Sequence, residues 1–270
     1  MMKLTMKKTL VAAAIAALAM SGAANAAMNT AASGDSSLIV TLLDTSAGVS
    51  ATFDLGFNKS TFNQAANSSW DITGGNYASA WSSFSTAVAG NFANTQYAVF
   101  AGDVLGAASG DQSMFTTVAS TWANVSNSVL STMQANFDGA LITSNNALGN
   151  HGAVADGASF ATAAANPLAY AGQGLAYSTT GKIANAGSDT NALLGTNMNV
   201  WNIVRNGTNN ITTSTSTKLS VAGFNPYFNL TNTGALSYTA VAAVPEADTY
   251  AMFLAGLGLM GFIARRRMSV

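Results

Sequence analysis

Cysteine is absent from the 270 residues, so thiol catalysis, Cys-ligated zinc and disulfide staples are all excluded. Charge is almost as scarce. Asp, Glu, Lys and Arg make up 8% of the chain, against roughly 25% in ordinary soluble domains. Ala, Ser, Thr, Asn and Gly take their place, so solubility must come from hydroxyls and amides, a surface common outside the cell. Histidine occurs once, at His151, which rules out the usual zinc and copper ligand sets. Between residues 27 and 244 there is no Glu, and nine Asp oppose Lys59, Lys182, Arg205 and Lys218, for a formal charge of −5. Such a body lacks the basic patch that phosphate binding demands, and nucleic acid is set aside as a partner.

The informative residues are at the two ends. Lys3, Lys7 and Lys8 precede an Ala-rich apolar run at 10–20, which is too short to span a bilayer comfortably. Ala24-Asn25-Ala26 then supplies the small-x-small pattern that signal peptidase accepts. Residues 1–26 therefore read as a secretory signal cleaved after Ala26, with Ala24 and Ala26 as the recognition residues.

At the other end, three pieces follow in order. Val244-Pro245-Glu246 comes first, where Pro fixes φ and removes a donor, leaving the chain extended and open to a protease. Residues 250–264 are uncharged and apolar, with glycines interspersed, and Arg265, Arg266 and Arg267 form a basic stop. Fifteen helical residues reach about 22 Å, short of the roughly 30 Å hydrocarbon core. Adding 247–249 and snorkelling arginines brings the segment close to spanning. By the positive-inside rule the arginines stay cytoplasmic and the body lies on the far side, in agreement with the signal peptide.

This tail resembles the PEP-CTERM sorting signal of Gram-negative bacteria. The resemblance rests on Pro245 and Glu246, the 250–264 stretch and Arg265, Arg266 and Arg267; Ala247 stands where the family usually has a second Pro. It implies recognition by exosortase, transient residence in the inner membrane, and a destination at the cell surface or outside the cell. It also implies a link to extracellular polysaccharide and biofilm. The expected organisation is a signal peptide at 1–26, an exported body at 27–243 and a sorting signal at 244–270.

Within the body, 37–43 is an apolar run followed by turn residues, and Val49, Ala51, Phe53, Leu55 and Phe57 alternate with polar neighbours. The period of two predicts a half-buried strand, so 37–57 reads as a hairpin. Tyr77, Trp81, Phe84 and Val88 fall at helical spacing, as do Trp122, Val125, Val129, Met133, Phe137 and Leu141. Strands are expected at 96–105, 113–119, 200–205, 217–224, 226–230 and 236–241; residues 153–199 give no clear pattern. The expected fold is α+β: mainly antiparallel β-sheet with two amphipathic helices in the middle, flanked by the signal peptide and a C-terminal transmembrane sorting helix.

Catalytic patterns are missing. A Ser-His-Asp arrangement would need His151, which sits in Gly149-Asn150-His151-Gly152 and reads as an exposed turn, and no G-x-S-x-G surrounds any serine. The Asp spacings give no support for paired carboxylates. Asp103, Asp111 and the 187–191 stretch are oxygen-rich without EF-hand spacing, so calcium stays an open alternative. No cofactor and no catalytic residue are expected. The leading expectation is a structural protein of the cell surface or biofilm matrix. The alternative is a carbohydrate-binding or adhesive module using Trp70, Asp71 and Tyr77, and a secreted hydrolase comes third.

Overall fold

The computed structural model describes residues 27–240 apart from 121, 123, 155 and 173–189. The predicted hairpin is present as β1 (Ser37–Asp44) and β2 (Val49–Asn58), closed by the Asp44 carboxylate, which accepts from the N–H groups of Ser46 and Ala47. The remaining strands are β3 (Ser68–Asp71), β4 (Gln96–Asp103), β5 (Ser113–Val118), β6 (Ala158–Thr162), β7 (Ala192–Leu193), β8 (Met198–Val204), β9 (Thr215–Lys218), β10 (Tyr227–Leu230) and β11 (Ala235–Thr239). They form one sheet of order β3-β11-β10-β8-β5-β4-β1-β2-β6, with β7 beside β4 and β9 beside β8. Every pairing is antiparallel.

The sheet curls. Trp70 of β3, at one end of the strand order, donates its indole N–H to the Leu55 carbonyl of β2, near the other end (3.1 Å). The enclosed face carries Leu38, Val40, Leu42, Val49, Ala51, Phe53, Tyr97, Val99, Phe115, Val200, Phe228 and Tyr238. Its aromatic centre is tight: the Tyr238 ring lies 4.9 Å from Phe62 and 4.7 Å from Phe228. The Tyr97 hydroxyl crosses this interior to the carbonyls of Thr196 (2.7 Å) and Phe228 (2.8 Å), which satisfies a buried polar group and ties β4 to β10.

Helix α1 (Ala78–Ala87) lies against β2 and β6 and buries Ala80 and Phe84 in the enclosed core. Helix α2 (Asn127–Ala147) covers the outer face, where Leu130, Met133, Phe137 and Leu141 meet Ile39, Phe100, Met114 and Ile203. Burial of apolar surface on both faces of the middle strands is thus the main stabilising term.

Three sequence expectations need correction. The second helix starts at Asn127, because Ser126 caps it by accepting from the Val129 N–H; Trp122 and Val125 precede it and pack as core residues in the connection. The β2 strand is buried on both faces from Val49 to Leu55, and the 169–171 segment covers its outer side at Ser50. Ser50 there accepts from the Ala171 N–H, and the Thr41 and Thr52 hydroxyls pair across strands. The strand expected at 217–224 is shorter and earlier, as β9. Strands β3, β6 and β7 went unpredicted.

Candidate functional site

The residues expected to carry sorting, Ala24, Ala26, Val244, Pro245, Glu246, Arg265, Arg266 and Arg267, lie outside the described residues, as do the signal peptide and the apolar stretch 250–264. The described residues nearest each end are held in the fold. Met28 is buried at 2% exposure, and Asn145 of α2 binds it twice: Oδ1 accepts from the Met28 N–H (2.9 Å) and Nδ2 donates to its carbonyl (2.8 Å). Seven residues earlier in α2, two helical turns away, Asp138 accepts from the N–H groups of Ala31 and Ala32. Burial holds the Asp138 carboxyl above the ordinary carboxylate range, offset in part by those two donors. At the far end Ala240 is fully buried and its N–H donates to Asn67 Oδ1 (2.8 Å).

The three residues considered for sugar contact do not form a shared platform. Tyr77 is buried, stacks edge-on against Phe53 and gives its hydroxyl to the Asp54 carbonyl. Trp70 is half-buried among Phe57, Phe62 and Phe228, with its N–H already used. Asp71 is exposed and accepts from the backbone and hydroxyl of Thr73, which lowers its pKa. The enclosed core took both rings because apolar area, rather than the polar neighbours, decided their direction.

His151 also departs from expectation. It stands in a turn, yet is wholly buried, and neither ring nitrogen has a hydrogen-bond partner among the described residues. Removal of water pushes its pKa down to about 4, so it is neutral at ordinary pH. A Cβ placed on Gly157 would stand 2.7 Å from His151 Cα, so only glycine lets the loop close over it. Gly157 also accepts from the Asp54 N–H (3.0 Å). The Asp54 carboxyl is buried and pushed up to about 6, chiefly by loss of water, against donors from Gly56 and Ser37 and with added repulsion from Asp156. Asp156 in turn accepts from Asn76 Nδ2 (2.7 Å).

Asp103 accepts from the Leu105 N–H and Asp111 from the Ala108 N–H, so each carboxylate shapes its own loop. Among the described residues no three His, Asp or Glu side chains gather as a metal-holding group.

Nothing in the residue pattern points to the role of Arg205. It is buried, and its guanidinium donates to the carbonyls of Ala107 and Thr208, to Gln112 Oε1 and to Asn210 Oδ1. Four neutral oxygens replace its water and pin the 104–111 loop to the 206–212 loop. Also unforeseen are two surface hollows. One of about 310 Å³ lies between α1 and β6 beside Asn150 and Phe160. The other, of about 660 Å³, lies between the Gly90–Ala93 turn, the Leu193–Gly195 segment and the tip of the β10–β11 hairpin at Thr231 and Asn232, and no charged residue lines it. These hollows are made by loops far apart in sequence, which no local pattern records.

No curated protein and no solved structure matches the chain. The family model of the PEP-CTERM protein-sorting motif matches residues 243–267. That span contains Val244, Pro245 and Glu246, the apolar stretch and all three arginines. The chain therefore carries a PEP-CTERM sorting signal at its C-terminal end.

Proposed function

We propose that the body is a non-catalytic structural component of the cell surface or biofilm matrix of a Gram-negative bacterium. The PEP-CTERM motif makes the chain an exported protein with an exosortase-type sorting signal, and exosortase its partner. In the proposed course, residues 250–264 hold the exported chain transiently in the inner membrane, and exosortase releases or transfers the body near Pro245 and Glu246. Extracellular polysaccharide would then be its neighbour.

The observation that carries this reading is the adjacency of fold and motif. Strand β11 and the buried Ala240 complete the sheet just before the matched span begins at 243. Cleavage after that point would leave the sheet and both helices whole. The non-catalytic part of the proposal draws on His151, which is packed in the interior with no hydrogen bond from either ring nitrogen among the described residues. Replacing Pro245 and Glu246 together with Ala should leave full-length protein in the inner-membrane fraction; release at the normal rate would contradict the sorting step. Hydrolase activity lost on His151→Ala would contradict the non-catalytic one.

A further inference from the structure

We propose that the 660 Å³ hollow beside the β10–β11 hairpin is a binding site for a neutral, hydroxyl-rich ligand, a short stretch of uncharged oligosaccharide. Its volume falls in the range of small-molecule sites, roughly 300–1,000 Å³. Its lining carries no Asp, Glu, Lys, Arg or His. A phosphate, uronate or amine would give up its water there without gaining an opposite charge.

The polar groups at the rim are amides with capacity to spare. Asn232, exposed at the hairpin tip, makes no side-chain hydrogen bond among the described residues. Asn91 uses Oδ1 to accept from the Ala93 N–H (3.2 Å), and among the described residues both its Nδ2 hydrogens are left for a guest. An amide offers a donor and an acceptor side by side, which complements hydroxyls that can both donate and accept. Phe92 supplies an apolar wall suited to the C–H face of a sugar ring. It is stacked on Trp81 at 5.4 Å and 17°, so the wall is already ordered before any guest arrives.

The walls are built rather than incidental. Ala89 and Gly90 follow α1 in successive left-handed conformations, φ 53° and 70°, and Ala89 holds this at a steric cost that glycine would avoid. This reversal turns Asn91 and Phe92 toward the 193–195 segment. That segment is fixed in turn: the Gly195 N–H donates to the Leu230 carbonyl (2.7 Å), and Asn229 Nδ2 donates to the Gly195 carbonyl (2.8 Å). A Cβ at either Gly90 or Gly195 would meet nothing within 4 Å, so the space between them is open. Nothing in this site involves the sorting tail, and the proposal is independent of how the tail is processed.

The test is calorimetric titration of the signal-free full chain, held in a non-glycosidic detergent, with cellotetraose, maltotetraose and tetragalacturonate. Saturable binding of at least one neutral tetrasaccharide is expected, with tetragalacturonate bound at least tenfold more weakly. Asn232→Ala should weaken the neutral ligand on the order of tenfold, the loss of one well-placed hydrogen-bonding group. Leu193→Trp, at a half-exposed position, should fill the hollow and abolish binding. Circular dichroism establishes that both variants are folded. The proposal is overturned if neither neutral tetrasaccharide binds, if tetragalacturonate binds equally well, or if folded Leu193→Trp protein binds like the parent.

Discussion

At the scale of single residues, His151 and Asp54 set opposing responses to acid. The His151 pKa falls from an ordinary 6.5 to about 4, so the unfolded chain binds the proton more readily than the native one. Its contribution to stability is present above pH 6.5 and is lost as pH falls toward 4, by about 3 kcal/mol. Asp54 runs the other way. Its pKa rises from 3.8 to about 6, the native chain binds the proton more readily, and stability is lost as pH rises from 3.8 through 6, again by about 3 kcal/mol. The two slopes should largely cancel between pH 4 and 6. Urea unfolding of His151→Phe across that window should then show stability rising on acidification, and of Asp54→Asn falling. Equal slopes for both variants would remove the burial account of either group. Neither pKa was legible in the sequence. His151 looks like an exposed turn residue because its cover comes from Gly157, six positions on, folding back over it.

At the scale of elements, the N-terminal segment and the strand edges depend on asparagine. Asn145→Ala would strand both the N–H and the carbonyl of buried Met28, a loss of about 2–3 kcal/mol measurable by urea unfolding. Ser126→Ala, removing only a cap, should cost about 1 kcal/mol. Strand β6 pairs on one side with β2 alone. On its other side Asn150 exchanges both bonds with Ala158 (Oδ1 with its N–H, N–H with its carbonyl), and Asn166 does the same for Thr162. These amides blunt an edge that would otherwise accept another strand. The double variant Asn150→Ala, Asn166→Ala should aggregate faster than its parent by light scattering; unchanged scattering would assign the edge no such role. The 37–57 hairpin and both helices were readable because their apolar periods are long and local. Strand β6, ASFAT, offers only four small residues and one ring, and its place was decided by pairing with β2, about 110 residues earlier. Likewise β3 is four residues held by β11, whose ladder no local signal announces.

At the scale of the whole molecule, a body with almost no charge is held by two cores on the two faces of one curled sheet, and the sorting motif starts where that sheet ends. The tail was legible because its physics is local: a Pro-Glu pair, an apolar run of near-membrane length and three arginines to stop it. The hollow at 90–93, 193–195 and 231–232 was not, since it exists only once three loops meet. Sorting at the tail is the central claim, and mass spectrometry of the C-terminal peptide from membrane and culture-medium fractions tests it most directly. A surface or medium form ending near Pro245, without Arg265, Arg266 and Arg267, is the predicted result. Protein found only in the membrane fraction and intact through Val270 would contradict it, leaving a tail-anchored envelope protein in place of a sorted one.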